Sequence, residues 1–228
     1  MKHQLPTMTI VETILGLSFL FAQLLVIPIA ISLFVLLFQL PISHTELNAL
    51  CFCTNFACAA VIFRHYWLSS IKALAHKWLL VLGNALKYFI VYYGATLIIN
   101  YLIYQIDPGF SNTNDENIAS MYADSQLLIG ICVVLLVPPV EEILYRGIVF
   151  GKLYQKSPLL GYTVSILLFG AIHVLSYVGS VSPLQLILCF LQYLPAAYCL
   201  ARAYAVSGSI FAPILMHSTI NLIAALLM

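Results

Sequence analysis

Long hydrophobic runs alternate with short polar or charged breaks along the whole of this chain of 228 residues. Seven such runs lie roughly at residues 10–40, 46–63, 78–104, 125–151, 158–178, 183–204 and 208–228. A run of about 20 apolar residues is long enough to cross the hydrocarbon core of a bilayer as a helix. The pattern therefore predicts an all-α fold, a polytopic transmembrane bundle of about seven spans.

The composition supports this prediction and excludes several other classes of protein. Hydrophobic residues make up 63% of the chain and charged residues only 7%, whereas soluble domains carry about 25% charged residues. The first hydrophobic run is too long for the apolar region of a cleavable signal peptide, so we expect it to be retained as a helix. No basic cluster indicates a nucleic-acid partner, and the lipid bilayer is the expected environment.

Basic residues collect on one side of the predicted bundle when the N-terminus is placed in the cytoplasm. The residues on that side are Lys2, Arg64, Lys72, Lys77, Lys152, Lys156 and Arg202. Because cytoplasmic loops of membrane proteins carry an excess of lysine and arginine, the pattern predicts a cytoplasmic N-terminus. A bacterial plasma membrane is the expected location, since the loops are short and no eukaryotic sorting signal is present.

The longest polar segment is the acidic stretch at residues 105–124, which the orientation above places outside the cytoplasm. Its Asp, Asn, Ser, Gly and Pro content is typical of a turn-rich surface loop, and we interpret it as a connector, with a gating role as the alternative. The expected organisation is one compact bundle in two regions. Residues 1–124 supply N-terminal helices and this loop, and residues 125–228 supply a C-terminal helical core.

Two adjacent glutamates interrupt the hydrophobic run LLVPPVEEILYRGIVF, and they are costly at membrane depth. Pro138 and Pro139 should kink or restart the helix just before the pair. Glu142 lies four residues before Arg146 and can form an ion pair with it. A purely structural role would be enough to explain this pair. Glu141 points about 100° away, which leaves it the freer carboxylate and the better candidate for acid–base chemistry.

Two later runs contribute further polar side chains at membrane depth. His173 shares a helical face with Phe169, and His217 shares one with Asn221. Each group alone is as easily explained by packing, but together they favour convergence on Glu141, because isolated polar groups are unstable in lipid. At 1.5 Å per residue, Glu141 and His217 lie about 13 Å from the cytoplasmic ends of their helices, whereas His173 lies about 22 Å from the start of a helix that begins at Pro158. Either that helix begins later or the site is staggered.

These residues form three motifs in a fixed order, EEILYR at 141–146, FGAIH at 169–173 and HSTIN at 217–221. They match the patterns EExxxR, FxxxH and HxxxN. The three motifs lie in separate C-terminal hydrophobic runs. In this order they resemble the motifs of the CAAX protease and bacteriocin-processing family of intramembrane proteases. The resemblance covers about residues 125–228, while the first three runs show only generic hydrophobicity.

The resemblance implies endopeptidase chemistry at a buried site, near the cytoplasmic side of the membrane. By that analogy Glu141 and His173 activate a water molecule, and His217 and Asn221 stabilise the oxyanion. Glu142, Arg146 and Phe169 have supporting roles.

A zinc-dependent mechanism is the alternative for the chemistry, with Glu141, His173 and His217 as the metal ligands. We expect no cofactor, because Asn221 is a poor zinc ligand but a good oxyanion donor, and no HExxH helix supplies paired ligands.

The expected partner is a peptide or protein substrate, such as a prenylated CAAX protein or a leader peptide. Two other functions are alternatives to proteolysis. One is a catalytically silent membrane adaptor or bacteriocin-immunity factor, which has no need of Glu141. The other is a proton-coupled transporter, which the absence of a detectable internal repeat disfavours.

Overall fold

The computed structural model describes residues 5–228 and contains eight helices in that range, with no β-strand. They are α1 Ile10–Leu37, α2 His44–Ile62, α3 Arg64–Ile106, α4 Thr113–Asp124, α5 Gln126–Lys156, α6 Pro158–Ile172, α7 Pro183–Ser207 and α8 Phe211–Leu227. Helices α1, α2, α3, α5 and α7 are long and apolar enough to cross a membrane, and α6 and α8 are shorter apolar helices. The predicted all-α polytopic bundle is confirmed, and each of the seven hydrophobic runs corresponds to a helix.

Short polar signals at the helix ends define these boundaries. A capping box in which Thr9 and Glu12 exchange hydrogen bonds starts α1, and Ser43 and Glu46 start α2 in the same way. Such boxes satisfy backbone donors that have no partner within the helix. Helix α7 ends at Gly208, whose φ of 62° lies in the left-handed region that glycine adopts without strain.

The basic residues of the chain mark one end of the bundle and the acidic segment marks the other. Arg64 starts α3, and Lys152 and Lys156 lie at the end of α5; we call this side the basic end. The opposite side, where residues 105–124 lie, is the acidic end. Residues 64–77, which the sequence left between two runs, belong to the 43-residue helix α3. Lys2 lies outside the described residues.

The prolines inside α1 and α5 are accommodated by π-helical turns. The π-helical segment Ala22–Val26 precedes Pro28 in α1, and Cys132–Leu136 precedes Pro138 and Pro139 in α5. A π-helical turn pairs residues five apart, so a missing proline donor can be absorbed without breaking the helix. The sequence predicted a kink or a restart before the glutamates, and an α-helical segment does begin at Val137 with the prolines in its first turn, but it is continuous with the rest of α5, which runs from Gln126 to Lys156.

Helix α5 is the innermost helix of the bundle. All eight residues of its second π-helical segment, Ile143–Phe150, are buried. Helix α1 packs closely against this segment through Gly16, where an added Cβ would clash with the side chains of Ile148 and Phe63. The central part of α5 is thus enclosed by protein, and α1 covers one of its sides.

The acidic segment at residues 105–124 is more ordered than the loop its composition suggested. It contains the 12-residue helix α4, and the Asn112 side chain accepts hydrogen bonds from the backbone N–H groups of Asn114 and Asp115 at its start. Asp115 and Glu116 lie in the first turn, where a helix favours negative charge. The residues typical of turns here serve as a helix cap.

Candidate active site

A cavity of about 590 Å³ lies in the half of the bundle next to the acidic end. The predicted residues Glu141, Phe169, His173, His217 and Asn221 all line it, together with side chains of α4 and α7. Helix α6 begins at Pro158, so the alternative of a later start for the helix of His173 is wrong. Because α5 ends at Lys156 rather than near residue 151, Glu141 lies about 22 Å from that end, as His173 does from the start of α6. These two residues therefore lie at similar depth, whereas His217 lies about 9 Å from the start of α8.

Glu142 and Arg146 form a fully buried ion pair in the centre of the bundle. Arg146 donates from Nη1 to Glu142 Oε1 at 3.0 Å, and neither side chain is exposed to solvent. Arg146 Nη2 also donates to the backbone oxygen of Ala197 in α7 at 3.3 Å. The expected pairing is present, and it ties α5 to α7 behind the cavity.

His217 joins both glutamates from helix α8. Its Nδ1 lies 2.8 Å from Glu142 Oε1, and its Nε2 lies 3.9 Å from Glu141 Oε2. An ionised carboxylate can only accept a hydrogen bond, so Nδ1 carries the proton in this contact. Nε2 is then left free toward Glu141.

Glu141 has fewer polar contacts than Glu142. Its side chain is 17% exposed, compared with 0% for Glu142. Its Oε2 atom is buried and has no hydrogen-bond partner among residues 5–228. A buried carboxylate oxygen without a protein partner beside a cavity is a position that a substrate or a water molecule can satisfy.

His173 is the C-terminal cap residue of α6, and its ring is held on several sides. Nδ1 donates to the backbone oxygen of Phe169 at 2.7 Å, which fixes the proton on Nδ1 and leaves the lone pair of the neutral ring on Nε2. The Phe169 ring lies 4.7 Å away and the Tyr193 ring 4.2 Å away, the latter nearly parallel at 26°.

Phe169 contacts both the buried ion pair and the residues of the cavity wall. The Arg146 guanidinium lies 4.1 Å from the centroid of its ring, a distance at which a cation and an aromatic face attract each other. The same ring lies 5.9 Å from His217 and is only 2% exposed. Phe169 therefore separates the buried ion pair from the cavity while contacting both.

Asn221 lies one helical turn beyond His217 on α8. Its amide nitrogen donates to the backbone oxygen of Val133 at 2.7 Å. Val133 belongs to the π-helical segment Cys132–Leu136, whose backbone carbonyls are shifted out of α-helical pairing. One N–H of Asn221 anchors the amide, and the second N–H is left for another acceptor.

The sequence did not identify the polar residues in the outer wall of the cavity. The Tyr193 hydroxyl of α7 lies 2.9 Å from Asp115 Oδ1 and 3.1 Å from the Asn114 amide nitrogen. Asn112 donates to Gln192 Oε1 at 2.7 Å. These contacts join residues about 80 positions apart in the sequence, and no local sequence pattern predicts them.

The metal-ligand set that the sequence left as an alternative does not converge. In the described part of the chain, no three His, Cys, Asp or Glu side chains come together as a group that could hold a metal ion. Glu141, His173 and His217 as arranged do not fit a zinc site.

Comparison with known proteins gives one match, over the segment that contains all three motifs. Residues 123–223 match the model of a protein family described as Rce1-like, type II CAAX prenyl endopeptidase Rce1-like. Neither the comparison with curated proteins nor the comparison with solved structures gives a match.

Proposed function

We propose that this chain, whose residues 123–223 match the family model of type II CAAX prenyl endopeptidases, is an intramembrane endopeptidase with Glu141 as its general base. The chain is an integral, multi-pass membrane protein with a peptide or protein as its substrate. The observation that carries the proposal is the unpartnered Oε2 of Glu141, which lies in the cavity wall 3.9 Å from His217 Nε2.

In the proposed reaction, a water molecule binds between Glu141 and His173 at the base of the cavity. Glu141 takes one proton from the water while the oxygen attacks the carbonyl carbon of the peptide bond. His173 can accept the other hydrogen of the water at Nε2, since Phe169 holds the proton on Nδ1. Glu141 then delivers its proton to the leaving amine, which completes hydrolysis. Such proton transfer is worth about 10²–10⁴-fold in rate.

His217 and Asn221 supply hydrogen-bond donors for the oxyanion that forms during attack. Asn221 offers the amide N–H that Val133 does not use. His217 donates from Nε2 only in its imidazolium form, because Nδ1 already donates to Glu142. In that form His217 would place a positive charge beside the developing oxyanion.

The position of the cavity bears on the side from which the substrate enters. The cavity extends from Glu141 to Asn100, Asn112 and Asp115, all at the acidic end. A cytoplasmic N-terminus puts that end outside the cytoplasm, so this orientation and cleavage near the cytoplasmic side exclude each other. We propose entry from the acidic end, whichever compartment that end faces.

Cysteine labelling from one side of the membrane decides the orientation. The variants Glu116→Cys at the acidic end and Lys152→Cys at the basic end would be treated with an impermeant maleimide in intact cells. The wild-type protein, which has six cysteines, is the control. Labelling of Glu116→Cys alone supports the charge-based orientation. Labelling of Lys152→Cys alone reverses it and makes cleavage near the cytoplasmic side the consistent reading.

The proposed function is tested without knowledge of the substrate. Peptide termini in whole membranes would be compared by mass spectrometry between cells that carry the wild-type chain and cells that carry Glu141→Gln. We expect termini that are present only with the wild type, and these identify the substrate and the bond. Identical termini, with both proteins folded and equally abundant, would overturn the proposal and favour the catalytically silent adaptor.

A further inference from the structure

Tyr193 connects the candidate catalytic histidine to the helix that covers the acidic end of the cavity. Its ring stacks on His173 with centroids 4.2 Å apart and an interplanar angle of 26°. Its hydroxyl reaches Asp115 Oδ1 at 2.9 Å and Asn112 Oδ1 at 3.2 Å, and the Asn114 amide donates to it at 3.1 Å. One residue of α7 thus contacts both α6 and the start of α4.

The stacking adds a second restraint to the plane of the imidazole. The hydrogen bond from Nδ1 to the Phe169 backbone oxygen limits rotation of the ring about the Cβ–Cγ bond. The Phe169 ring is tilted against His173 by 51°, whereas the Tyr193 ring lies nearly parallel to it. The Tyr193 ring therefore supports the ring plane along its face, and with it the direction of His173 Nε2.

The hydroxyl of Tyr193 in turn depends on α4. Asp115 and Asn114 belong to the first turn of that helix, and Asn112 is its cap. A tyrosine hydroxyl held by three groups is far more restricted than one that only packs. The position of α4 over the cavity therefore constrains the Tyr193 ring, which orients His173.

We infer that Tyr193 is a positioning residue, which orients His173 for water activation and makes that orientation depend on the docking of α4. This inference rests on the proposed function, since the orientation of the His173 imidazole matters for the reaction only if His173 acts on a water molecule. Tyr193 itself takes no proton and touches no reacting atom in the proposed reaction. Its contribution is to the geometry of His173.

Two variants separate the two contacts that Tyr193 makes. Tyr193→Phe keeps the stacked ring and removes the hydroxyl anchor, whereas Tyr193→Leu removes both. Tyr198→Phe and Tyr198→Leu are the matched controls, because Tyr198 lies on the same helix, is 46% exposed and does not line the cavity. The synthetic substrate would be a peptide that spans the bond identified from the membrane termini.

The kinetic expectation is a loss of kcat with little change in KM. A displacement of a catalytic group by about 1 Å can cost about 100-fold, which is the loss we expect for Tyr193→Leu. Loss of the hydroxyl anchor alone should cost about fivefold in Tyr193→Phe, the worth of an ordinary hydrogen bond. An increase in KM equal to the fall in kcat would identify a substrate contact instead and overturn the inference.

A spectroscopic measurement tests the same inference independently of proteolysis. The imidazole signals of histidine-labelled protein in detergent would be recorded by NMR, with His173→Gln used to assign His173. We expect one tautomer with Nδ1 protonated and ring-proton shifts moved by the stacked tyrosine. Tyr193→Leu should abolish that displacement, and Tyr193→Phe should keep most of it.

Failure of the positioning role and failure of the proposed function can be distinguished. Unchanged His173 signals in Tyr193→Leu would overturn the positioning role even if the chain is a protease. If no terminus depends on Glu141, the proposed function fails, and the NMR result still reports whether Tyr193 orients the ring. Should Tyr193→Leu not fold, Tyr193→Phe decides alone, and wild-type kcat in that variant would contradict the link to α4.

Discussion

Two buried carboxylate sites in this bundle have opposite characters. Near the start of α1, Glu12 is 2% exposed, and both of its oxygens are occupied. Oε2 accepts from the backbone and hydroxyl groups of Thr9 at 2.9 and 2.8 Å, and Oε1 accepts from the Tyr66 backbone at 2.8 Å. In the middle of α5, Glu141 and Glu142 each keep one buried oxygen without a hydrogen-bond partner among the described residues.

The difference lies in what each site leaves unsatisfied. Glu12 satisfies first-turn backbone donors of α1 and α3, which have no partners within their own helices, so it serves the fold. Of the pair in α5, Glu141 lines the cavity, and a water molecule or a substrate that enters the cavity can satisfy its remaining acceptor. Burial alone does not separate a structural carboxylate from a candidate catalytic one, whereas the count of unused acceptors does.

The largest expected effect is on the rate, from Glu141→Gln. Removal of a general base should lower kcat by about 10²–10⁴-fold, while the amide keeps the volume of the side chain and leaves the fold intact. Rates on the identified peptide and thermal unfolding in detergent would be measured side by side. Glu116→Gln on the exposed face of α4 is the control, and equal losses in both variants would remove Glu141 from the chemistry.

A large effect on stability is expected from Arg146→Met. The change leaves Glu142 in a site without its cation, and breaking a buried ion pair costs about 3–5 kcal/mol. The double variant Glu142→Gln with Arg146→Met should recover part of that loss, and thermal unfolding measures both. Arg202→Met, near the basic end, is the control for loss of an arginine. A single variant as stable as the control would show that the pair does not hold α5.

A smaller effect, confined to stability, is expected from Glu12→Gln. The amide cannot accept at both positions as the carboxylate does, so about 1–3 kcal/mol of the unfolding free energy should be lost. The rate per folded molecule should match that of the wild type, because Glu12 does not line the cavity. A loss of kcat without a loss of stability would contradict the structural role of this carboxylate.

The smallest expected effect is that of removing metal ions. Purified protein should carry well below one zinc per chain, and its rate should survive a strong chelator, since the acidic and histidine side chains do not converge as ligands. Stoichiometric zinc, with activity lost on its removal and restored on its return, would overturn this and require the site to rearrange around the metal.

The sequence predicted well which polar side chains lie together, because polar residues are rare in these helices. Glu141, Glu142 and Arg146 stand out in an apolar run, and their motif fixes the order of the later histidines. The ion pair follows from the i,i+4 spacing alone. Convergence of His173 and His217 on the glutamates needed only the argument that polar groups in lipid seek one another.

Other features depended on contacts that no local pattern reveals. Thr9 and Glu12 form an ordinary helix-start signal, and nothing in it shows that Glu12 also reaches the backbone of Tyr66. The composition of residues 105–124 indicates turns, yet the same residues cap and start α4. Tyr193 is one of 14 tyrosines in the chain, and its importance comes only from what α4 and α6 place beside it.

The enclosure of Ile143–Phe150 has a consequence for the response of this protein to its bilayer. A helix in contact with lipid adjusts its tilt when the hydrocarbon thickness changes, and the outer helices here, with their exposed apolar side chains, are subject to that force. The central segment of α5 presents no side chain to the lipid. Its depth is set by its helical neighbours, so a thinner or thicker membrane reaches the glutamates only through the helices that surround them.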